Sequence, residues 1–342
     1  MNKVNALAGL GGLLLASVGA ANAEEGPFTW EGSIELQSDM LFDSSNKANE
    51  INDTYMTING ALRYAFTSQT SFNASLVIEP ITGATKDRVL EDHGLYAEEL
   101  YFAHDFGGAE VVLGKFNPAF GAAWDVAPGL YGADFAEDYQ LTEAVGAAIN
   151  IALPLGVGEH VLSFAAFNAD RSIFSKSLGR RRLQNNLAAG GVSNTSDPES
   201  FAISLAGEVG NTAYNVGVQN LARGVGDVTD QTGFVAGVVY AMGEGSSFPV
   251  ELLGEVAYFD AFGGARTDAT IATFGAAFAV GPATVSGVYA VRDIQNAPTD
   301  HLATLSVEMP ITDSLSTTIG YRYGREAGDR NHTLGSVLVY EF

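Results

Sequence analysis

The sequence predicts an all-β fold, a transmembrane antiparallel β-barrel of about 16 strands with an inward-folded constriction loop. Apolar and polar residues alternate along runs of about ten residues, the length that a tilted strand needs to cross a bilayer. The connections between these runs are alternately short and long. Beyond residue 23, no segment combines the length and the apolar character of a membrane-spanning helix.

The N-terminus predicts a cleaved signal peptide over residues 1–23. Lys3 supplies the positive start, residues 7–18 are apolar, and Ala21-Asn22-Ala23 places small residues at the cleavage site. The apolar run is too short for a membrane anchor and lacks a basic flank. Residues 24–342 then form the barrel, because a closed barrel is the alternative to helices that satisfies every backbone group in lipid.

The alternation is clearest in six segments, which are predicted to be strands. These segments are 30–36, 56–66, 72–78, 201–209, 250–258 and 315–323. Short connections are predicted near 67–70, 106–109, 154–158, 209–211, 243–248, 281–282 and 311–314. Long connections are predicted near 43–53, 80–94, 117–143, 168–199, 223–231, 260–268, 293–300 and 324–330. Seven short and eight long connections imply sixteen strands with both termini on the periplasmic side. Fourteen or eighteen strands are alternatives, since the fourth to seventh strands are less clearly patterned.

A soluble β-sandwich or β-propeller also has alternating strands. In those folds the apolar face meets another protein layer, and the connections show no systematic rhythm. Here Phe and Tyr lie near the strand ends, as the aromatic girdles of membrane barrels require. The barrel is therefore the preferred prediction.

The last ten residues resemble the final strand of bacterial outer-membrane barrels. Leu334, Leu338, Tyr340 and the terminal Phe342 occupy every second position, with Ser336 as the one gap on that face. In such barrels a terminal aromatic residue is part of the signal that the barrel-assembly machinery recognises. The resemblance implies assembly through Phe342, insertion into the outer membrane, and contact with its lipids and lipopolysaccharide.

Charge and composition exclude several classes of function. The net charge is −23, with 40 acidic and 17 basic residues, which argues against nucleic-acid binding. The absence of cysteine removes disulfides, thiolate metal sites and cysteine nucleophiles. The histidines are not spaced as metal ligands, and no serine lies in a nucleophile-elbow motif. We expect no metal, no cofactor and no enzymatic activity.

The predicted inward face indicates a channel. A sixteen-stranded barrel is wide enough for an aqueous passage, whereas about eight strands fill their own interior. Burying many carboxylates in a dry core would be prohibitive, so the lining predicts a water-filled lumen that favours cations over anions. The carboxylates concerned are Glu31, Glu35, Glu79, Glu208, Glu251, Glu255 and Glu308.

The connection 117–143 is the most distinctive segment, because it is acidic, aromatic and free of Lys and Arg. Folded into the barrel, it would present a set of carboxylates to the pore as a constriction: Asp125, Asp134, Glu137 and Asp138. Its aromatic residues would pack on the wall or stack on a ligand, and simple packing of the loop is the alternative for each: Trp124, Tyr131, Phe135 and Tyr139. Outside the lumen the same loop would be a binding or adhesion surface.

Basic residues are predicted at two places. Arg63, Arg292 and Arg322 fall on the inward face of the second, thirteenth and fifteenth strands, where they would face the acidic loop or pair with an inward glutamate. Arg180-Arg181-Arg182 lies in the connection 168–199. This external cluster suits lipopolysaccharide phosphates or an anionic ligand such as a citrate-based siderophore, with a solvated loop as the alternative.

The place of connection 117–143, between the fifth and sixth strands, matches the constriction loop of the general sixteen-stranded porins. Residues 114–121 resemble the strand-to-loop junction of many porins. The block that continues through Trp124-Asp125, Pro128-Gly129, Tyr131-Gly132 and residues 134–139 resembles more specifically the legiobactin-receptor family of siderophore porins. That family implies ferric-siderophore uptake without a plug domain, and porins of this size are commonly homotrimers.

The sequence therefore predicts an outer-membrane porin for diffusion of small hydrophilic solutes, with ferric-siderophore uptake as its narrower form. The alternative is a non-channel binding or adhesion barrel that acts through its external loops.

Overall fold

The computed structural model describes residues 26–243 and 249–342. The signal peptide predicted over residues 1–23 lies outside these ranges and stays a prediction. Sixteen long strands follow one another along the described chain. They are β1 (Phe28–Ser44), β2 (Asn52–Ala65), β3 (Thr70–Pro80), β4 (His93–Asp105), β5 (Ala109–Phe116), β6 (Ala144–Ala152), β7 (Glu159–Ala169), β8 (Ser200–Val209), β9 (Thr212–Leu221), β10 (Gln231–Met242), β11 (Val250–Asp260), β12 (Ala269–Val280), β13 (Ala283–Ile294), β14 (Asp300–Pro310), β15 (Leu315–Glu326) and β16 (Asp329–Glu341).

The strands form one closed antiparallel barrel, which confirms the predicted fold class. Each strand pairs with its neighbour in the chain, and β1 pairs with β16 from Ser33 opposite Glu341 to Ser44 opposite Asn331. The terminal Phe342 exchanges two backbone hydrogen bonds of 3.0 Å with Gly32. Its ring lies 5.4 Å from that of Trp30, so the last residue helps to close the barrel.

Each strand has an outward apolar face and an inward face that is largely polar, since successive side chains of a strand point to opposite sides. Outward residues such as Leu36, Leu338 and Tyr340 are 40–47% exposed, whereas inward Glu255 is 1% exposed and Gln219 is fully buried. An apolar exterior around a polar interior is the pattern of membrane barrels.

The seven short connections lie where the sequence predicts them, although residues 244–248 of the fifth are outside the described ranges. The last long connection, predicted near 324–330, is wrong. β15 and β16 continue their pairing to Glu326 opposite Asp329 and are joined by Ala327-Gly328 alone. Both turn residues have positive φ (51° and 91°), as a tight hairpin with right-handed strand twist requires. The polar residues that suggested a loop instead lengthen the two strands beyond the apolar band.

Two external loops add two-residue strands to the sheet. Arg88–Val89 pairs parallel with β2, and Leu178–Gly179 pairs antiparallel with β4. A one-turn helix, Ala123–Val126, lies within the connection 117–143. No helix in the described part of the chain is long and apolar enough to span a membrane.

The interior also contains an apolar core, which the predicted polar lining did not include. Phe259, Ile271 and Leu302 of β11, β12 and β14 are fully buried, and they cluster with Phe135 and Tyr139 of the connection 117–143. The inward wall carries apolar side chains there because the loop shields them from water, which makes their burial favourable.

Candidate functional site

The connection 117–143, here called the inner loop, lies against inward-facing residues of the barrel wall. Its two ends are tied together at Asn117, whose side-chain oxygen accepts a 2.9 Å hydrogen bond from the Glu143 backbone. The Asn117 backbone and side-chain nitrogens donate to Glu99 and Glu98 at 3.0 and 3.1 Å. A β-bulge in β4 lets these consecutive glutamates both reach Asn117. The loop therefore leaves the wall at a defined point.

Glu255 of β11 is a main attachment of the loop, both for the one-turn helix in its first half and for Tyr139 in its second half. It accepts four hydrogen bonds, from the backbone nitrogens of Ala122 (2.8 Å) and Ala123 (3.0 Å), from the Tyr139 hydroxyl (2.6 Å), and from the Asn215 amide (2.9 Å). The first two are the amino-terminal groups of the one-turn helix, which have no partner within a helix. A buried carboxylate thus satisfies donors that would otherwise be left unpaired.

The tip of the loop is held on the opposite part of the wall. The Leu130 backbone donates to Ser306 of β14 at 3.1 Å, and the Tyr131 hydroxyl donates to Asp39 of β1. Gly129 has a φ of +84°, and a Cβ there would lie 2.6 Å from Ser286 Oγ. Glycine is required because the backbone both turns and approaches the wall closely at this residue.

Two of the three predicted wall arginines are in contact with the inner loop. Arg322 pairs with Asp134 and with Glu326 of its own strand at 2.8 Å. Arg292 pairs with Asp138 and, at 2.7 Å, with Asp300. These are contact ion pairs, so the two arginines fasten the loop and do not face it across open water.

The third predicted wall arginine, Arg63, lies apart from this group. It is half-buried on the inward face of β2, and it has no ion pair with any residue that the structure describes. Arg63 is therefore a separate charge of the lumen, away from the loop contacts.

The four loop aromatics divide into two groups. Phe135, Tyr139 and Tyr131 are 1%, 4% and 6% exposed, and the Arg292 guanidinium lies 4.6 Å over the Phe135 ring. These three are packed between the loop and the wall. Trp124 is 36% exposed and borders a cavity, which leaves it as the one member of the four that faces open space.

Asp125 and Glu137 are the loop carboxylates without an ion pair in the described part of the chain, and both are exposed to the lumen. Although both side chains keep accessible surface, the loop and wall around them displace much of their hydration. This desolvation raises the pKa of Asp125 to about 6, with a further increase from Glu255 and Glu98. Burial raises the pKa of Glu137 to about 7, and the nearby Asp134, Asp138 and Glu79 add to this. Both groups therefore lie close to other negative charges, on the loop and on β3 and β4.

The external basic cluster is not brought together as one surface. Arg182 forms a bidentate pair with Glu143 at 2.6 and 2.7 Å and lies 4.2 Å over the Tyr96 ring. Arg180 pairs with Asp92 at 3.3 Å, while Arg181 is exposed. Arg182 belongs instead to the base of the inner loop, where Lys115 also pairs with Glu143 at 2.7 Å.

Sequence reasoning placed Glu255 among the lumen carboxylates but missed its role in holding the loop. It also missed Asp39, Asp300 and Glu326 as partners of the loop and of the wall arginines. Their shared signal is weak, since an inward carboxylate at a period-two position looks the same whether it faces water or a loop. The helix-starting segment near Ala122 lacks a side-chain cap, which is the one local hint that a distant acceptor is needed.

No family model matches this sequence, and no curated protein matches it. Several solved structures, in contrast, are similar to this protein in fold. The outer membrane channel DcaP of Acinetobacter baumannii has a TM-score of 0.62 at 9% identity, over 92% of this chain and 97% of that one. The anion-selective porin from Comamonas acidovorans has 0.59 at 12% identity, over 92% and 99%. A loop-deletion variant of OmpT, an outer membrane protein of Vibrio cholerae, has 0.56 at 11% identity, over 92% and 99%. At these identities the likeness is one of fold, and this chain has the fold of the sixteen-stranded porins.

Proposed function

We propose that this protein is an outer-membrane porin, a water-filled channel for small hydrophilic solutes that passes cations more readily than anions. The observation that carries the proposal is the arrangement of charge around the inner loop. Arg292 and Arg322 are neutralised by direct contact with loop and wall carboxylates, whereas Asp125 and Glu137 stay exposed to the lumen near Glu98 and Glu79.

The inner loop acts as the constriction in this proposal. It is attached at Asn117, at Glu255, and at its tip through Tyr131 and Asp39, and in this position it narrows the lumen. Fixed negative charge in a narrow aqueous passage raises the local cation concentration. A similar fold in a protein described as anion-selective fits this view, because selectivity follows the charges of the lining and not the barrel itself.

The proposed location is the outer membrane, reached by cleavage of the signal peptide and by assembly through Phe342. The apolar exterior would contact membrane lipids and lipopolysaccharide, and a homotrimer is the proposed assembly. We propose a transport role and not an enzymatic one, with no metal and no cofactor.

Ferric-siderophore uptake is the narrower form of the proposal, and it rests on the residue pattern between Gly114 and Tyr139. The dispersal of Arg180, Arg181 and Arg182 into separate contacts weakens the case for an external anionic docking site. The non-channel alternative, an adhesion or binding barrel, would need the inner loop to be an external surface.

The test is single-channel recording of the refolded protein in a planar bilayer under a salt gradient. We expect discrete current steps and a reversal potential of the sign that reports cation preference. Asp125→Asn combined with Glu137→Gln should move the reversal potential towards zero, while Asp313→Asn, in an exposed periplasmic turn, should leave it unchanged. Dose-dependent block by an added ferric siderophore would support the narrower role. Absence of current steps from correctly folded protein would contradict the channel and favour the adhesion barrel.

A further inference from the structure

A cavity of about 290 Å³ lies between the inner loop and the inward face of β4 to β9. Its size is at the lower limit of ligand pockets, which commonly span about 300–1,000 Å³. The loop side is bordered by Trp124, Asp125 and Gln140, and the wall side by Glu99 and Tyr101 of β4. The cavity is thus a side chamber of the lumen, large enough for one small ring compound.

One wall of the chamber is a continuous row of polar side chains. Glu110 of β5, Asn150 of β6, Ser163 of β7 and Ser204 of β8 are successive cross-strand partners, and all four border the cavity. Residues in register on adjacent strands lie about 5 Å apart. Such a row offers several hydrogen-bonding groups at a spacing similar to that of hydroxyls on alternate carbons of a sugar ring.

Two polar atoms in this wall have no hydrogen-bond partner among the described residues. Ser163 Oγ belongs to a residue that is 6% exposed, and Asn215 Oδ1 belongs to one that is 2% exposed. The Asn215 nitrogen is already engaged with Glu255, so the oxygen is the unpaired atom of this amide. Buried polar atoms are nearly always paired, so these two are unused hydrogen-bonding groups beside the chamber. Each has almost no accessible surface, so a bound solute would reach it only after a rotation of the side chain.

The charge of the chamber selects a cation. Glu99, Glu110 and Asp125 border it, and none of the described residues around it is Lys or Arg. Trp124, Tyr101 and Phe116 supply aromatic surface beside the carboxylates. A positive charge near an aromatic face gains additional stabilisation.

We propose that this chamber binds a small polyhydroxylated amine such as an amino sugar. The ammonium group pairs with the carboxylates, the hydroxyls meet the row that includes Ser163 and Asn150, and the apolar ring face lies on Trp124. The inference rests on the proposed channel, because the solute reaches the chamber through the lumen.

The test uses the intrinsic fluorescence of the full-length protein, which contains two tryptophans, Trp30 and Trp124. Trp30→Phe leaves Trp124 as the single tryptophan, and the change does not touch the lumen because Trp30 lies on the outward face of β1. Glucosamine and glucose are then titrated in turn, because they differ at one position in having an ammonium or a hydroxyl group. We expect a saturable change in emission with glucosamine and a much weaker one with glucose.

Variants in the Trp30→Phe background assign the site. Asp125→Asn should weaken glucosamine binding about tenfold, in line with the loss of a charged hydrogen bond, and Ser163→Ala should weaken it by a smaller factor. Asp313→Asn, outside the lumen, should bind as the parent does. Equal responses to both sugars, or an unchanged affinity in Asp125→Asn, would overturn the inference.

A bilayer recording of the same Trp30→Phe protein separates the two proposals. Current steps without a fluorescence response would leave the channel standing and reject the chamber as a binding site. Current steps with a saturable response and transient block by glucosamine would support both. Sugar that fills the lumen without binding would change the Trp124 emission in linear proportion to its concentration and equally for glucosamine and glucose. That outcome would reject the chamber as a binding site.

Discussion

Replacement of Glu255 by glutamine should detach the first half of the inner loop while leaving the barrel closed. Each oxygen of this carboxylate accepts two hydrogen bonds: Ala123 and Tyr139 on one, Ala122 and Asn215 on the other. A glutamine turns one of these oxygens into a donor, so one backbone nitrogen, that of Ala122 or of Ala123, loses its acceptor. The Tyr139 hydroxyl or a flipped Asn215 amide can accept from the new NH2 group, and the remaining hydrogen bonds no longer involve a charge. The side-chain volume is nearly unchanged.

The expected magnitude follows from those contacts. A hydrogen bond to a charged group contributes about 1.5–3 kcal/mol, so the loss of one such bond, together with the loss of charge from the others, weakens the attachment by about 3 kcal/mol. Because about 1.4 kcal/mol corresponds to a factor of ten in an equilibrium constant, the detached population should rise roughly 100-fold. Barrel stability should change little, since strand pairing does not involve this side chain.

Two assays report detachment. Single-channel currents of Glu255→Gln should show frequent transitions to higher conductance, and chymotrypsin should cut within the inner loop, which offers aromatic sites such as Trp124 but no site for trypsin. The matched control is Glu251→Gln on the same strand, because Glu251 is 5% exposed and its Oε2 has no partner in the described part of the chain. Steady single-channel currents and resistance to chymotrypsin in Glu255→Gln would refute the detachment. Frequent conductance transitions and cleavage in Glu251→Gln would refute the specific role of Glu255.

Three further predictions concern the charge and the tip of the inner loop. Arg322→Met removes the contact that neutralises Asp134, so the reversal potential should shift towards stronger cation preference; a shift towards anions would contradict the assignment. The raised pKa of Glu137, about 7, means that this group gains its charge as pH rises through neutrality. Cation preference should therefore increase between about pH 6 and 8, a change that Glu137→Gln should reduce. Because the folded-state pKa of Glu137 lies above its ordinary value of 4.5, its protonated form stabilises the folded state most below about pH 4.5. This stabilisation is lost as the pH rises through about 7, so thermal stability should fall slightly over that interval. Gly335→Ala places a Cβ against the Tyr131 hydroxyl and should release the loop tip at a cost of about 1.5–3 kcal/mol, seen as added current noise; Gly287→Ala, whose nearest neighbouring atom would lie at 3.4 Å, should behave as the parent protein.

Much of the fold could be predicted because each strand of a membrane barrel has a recognisable pattern within its own short segment of sequence. Leu334, Leu338 and Tyr340 mark the outward face of β16 by their period of two, and short turns such as 281–282 mark the strand ends. The hairpin at Ala327-Gly328 escaped prediction because its flanking strands continue beyond the apolar band with polar residues, and polar alternation does not distinguish a strand from a loop.

The sequence by itself determined the barrel and the acidic character of its interior, and it favoured sixteen strands over fourteen or eighteen, since these depend on periodicity and composition within short segments. It also identified the inner loop and its carboxylates. The tertiary structure alone decided which charged side chains are engaged in contacts. Arg322 pairs with Asp134, and Glu255 accepts a hydrogen bond from the Ala122 backbone, in both cases across more than 100 positions of the chain. Whether a lumen carboxylate fastens a loop or faces the passage depends on barrel curvature and loop path, and neither is encoded in local spacing.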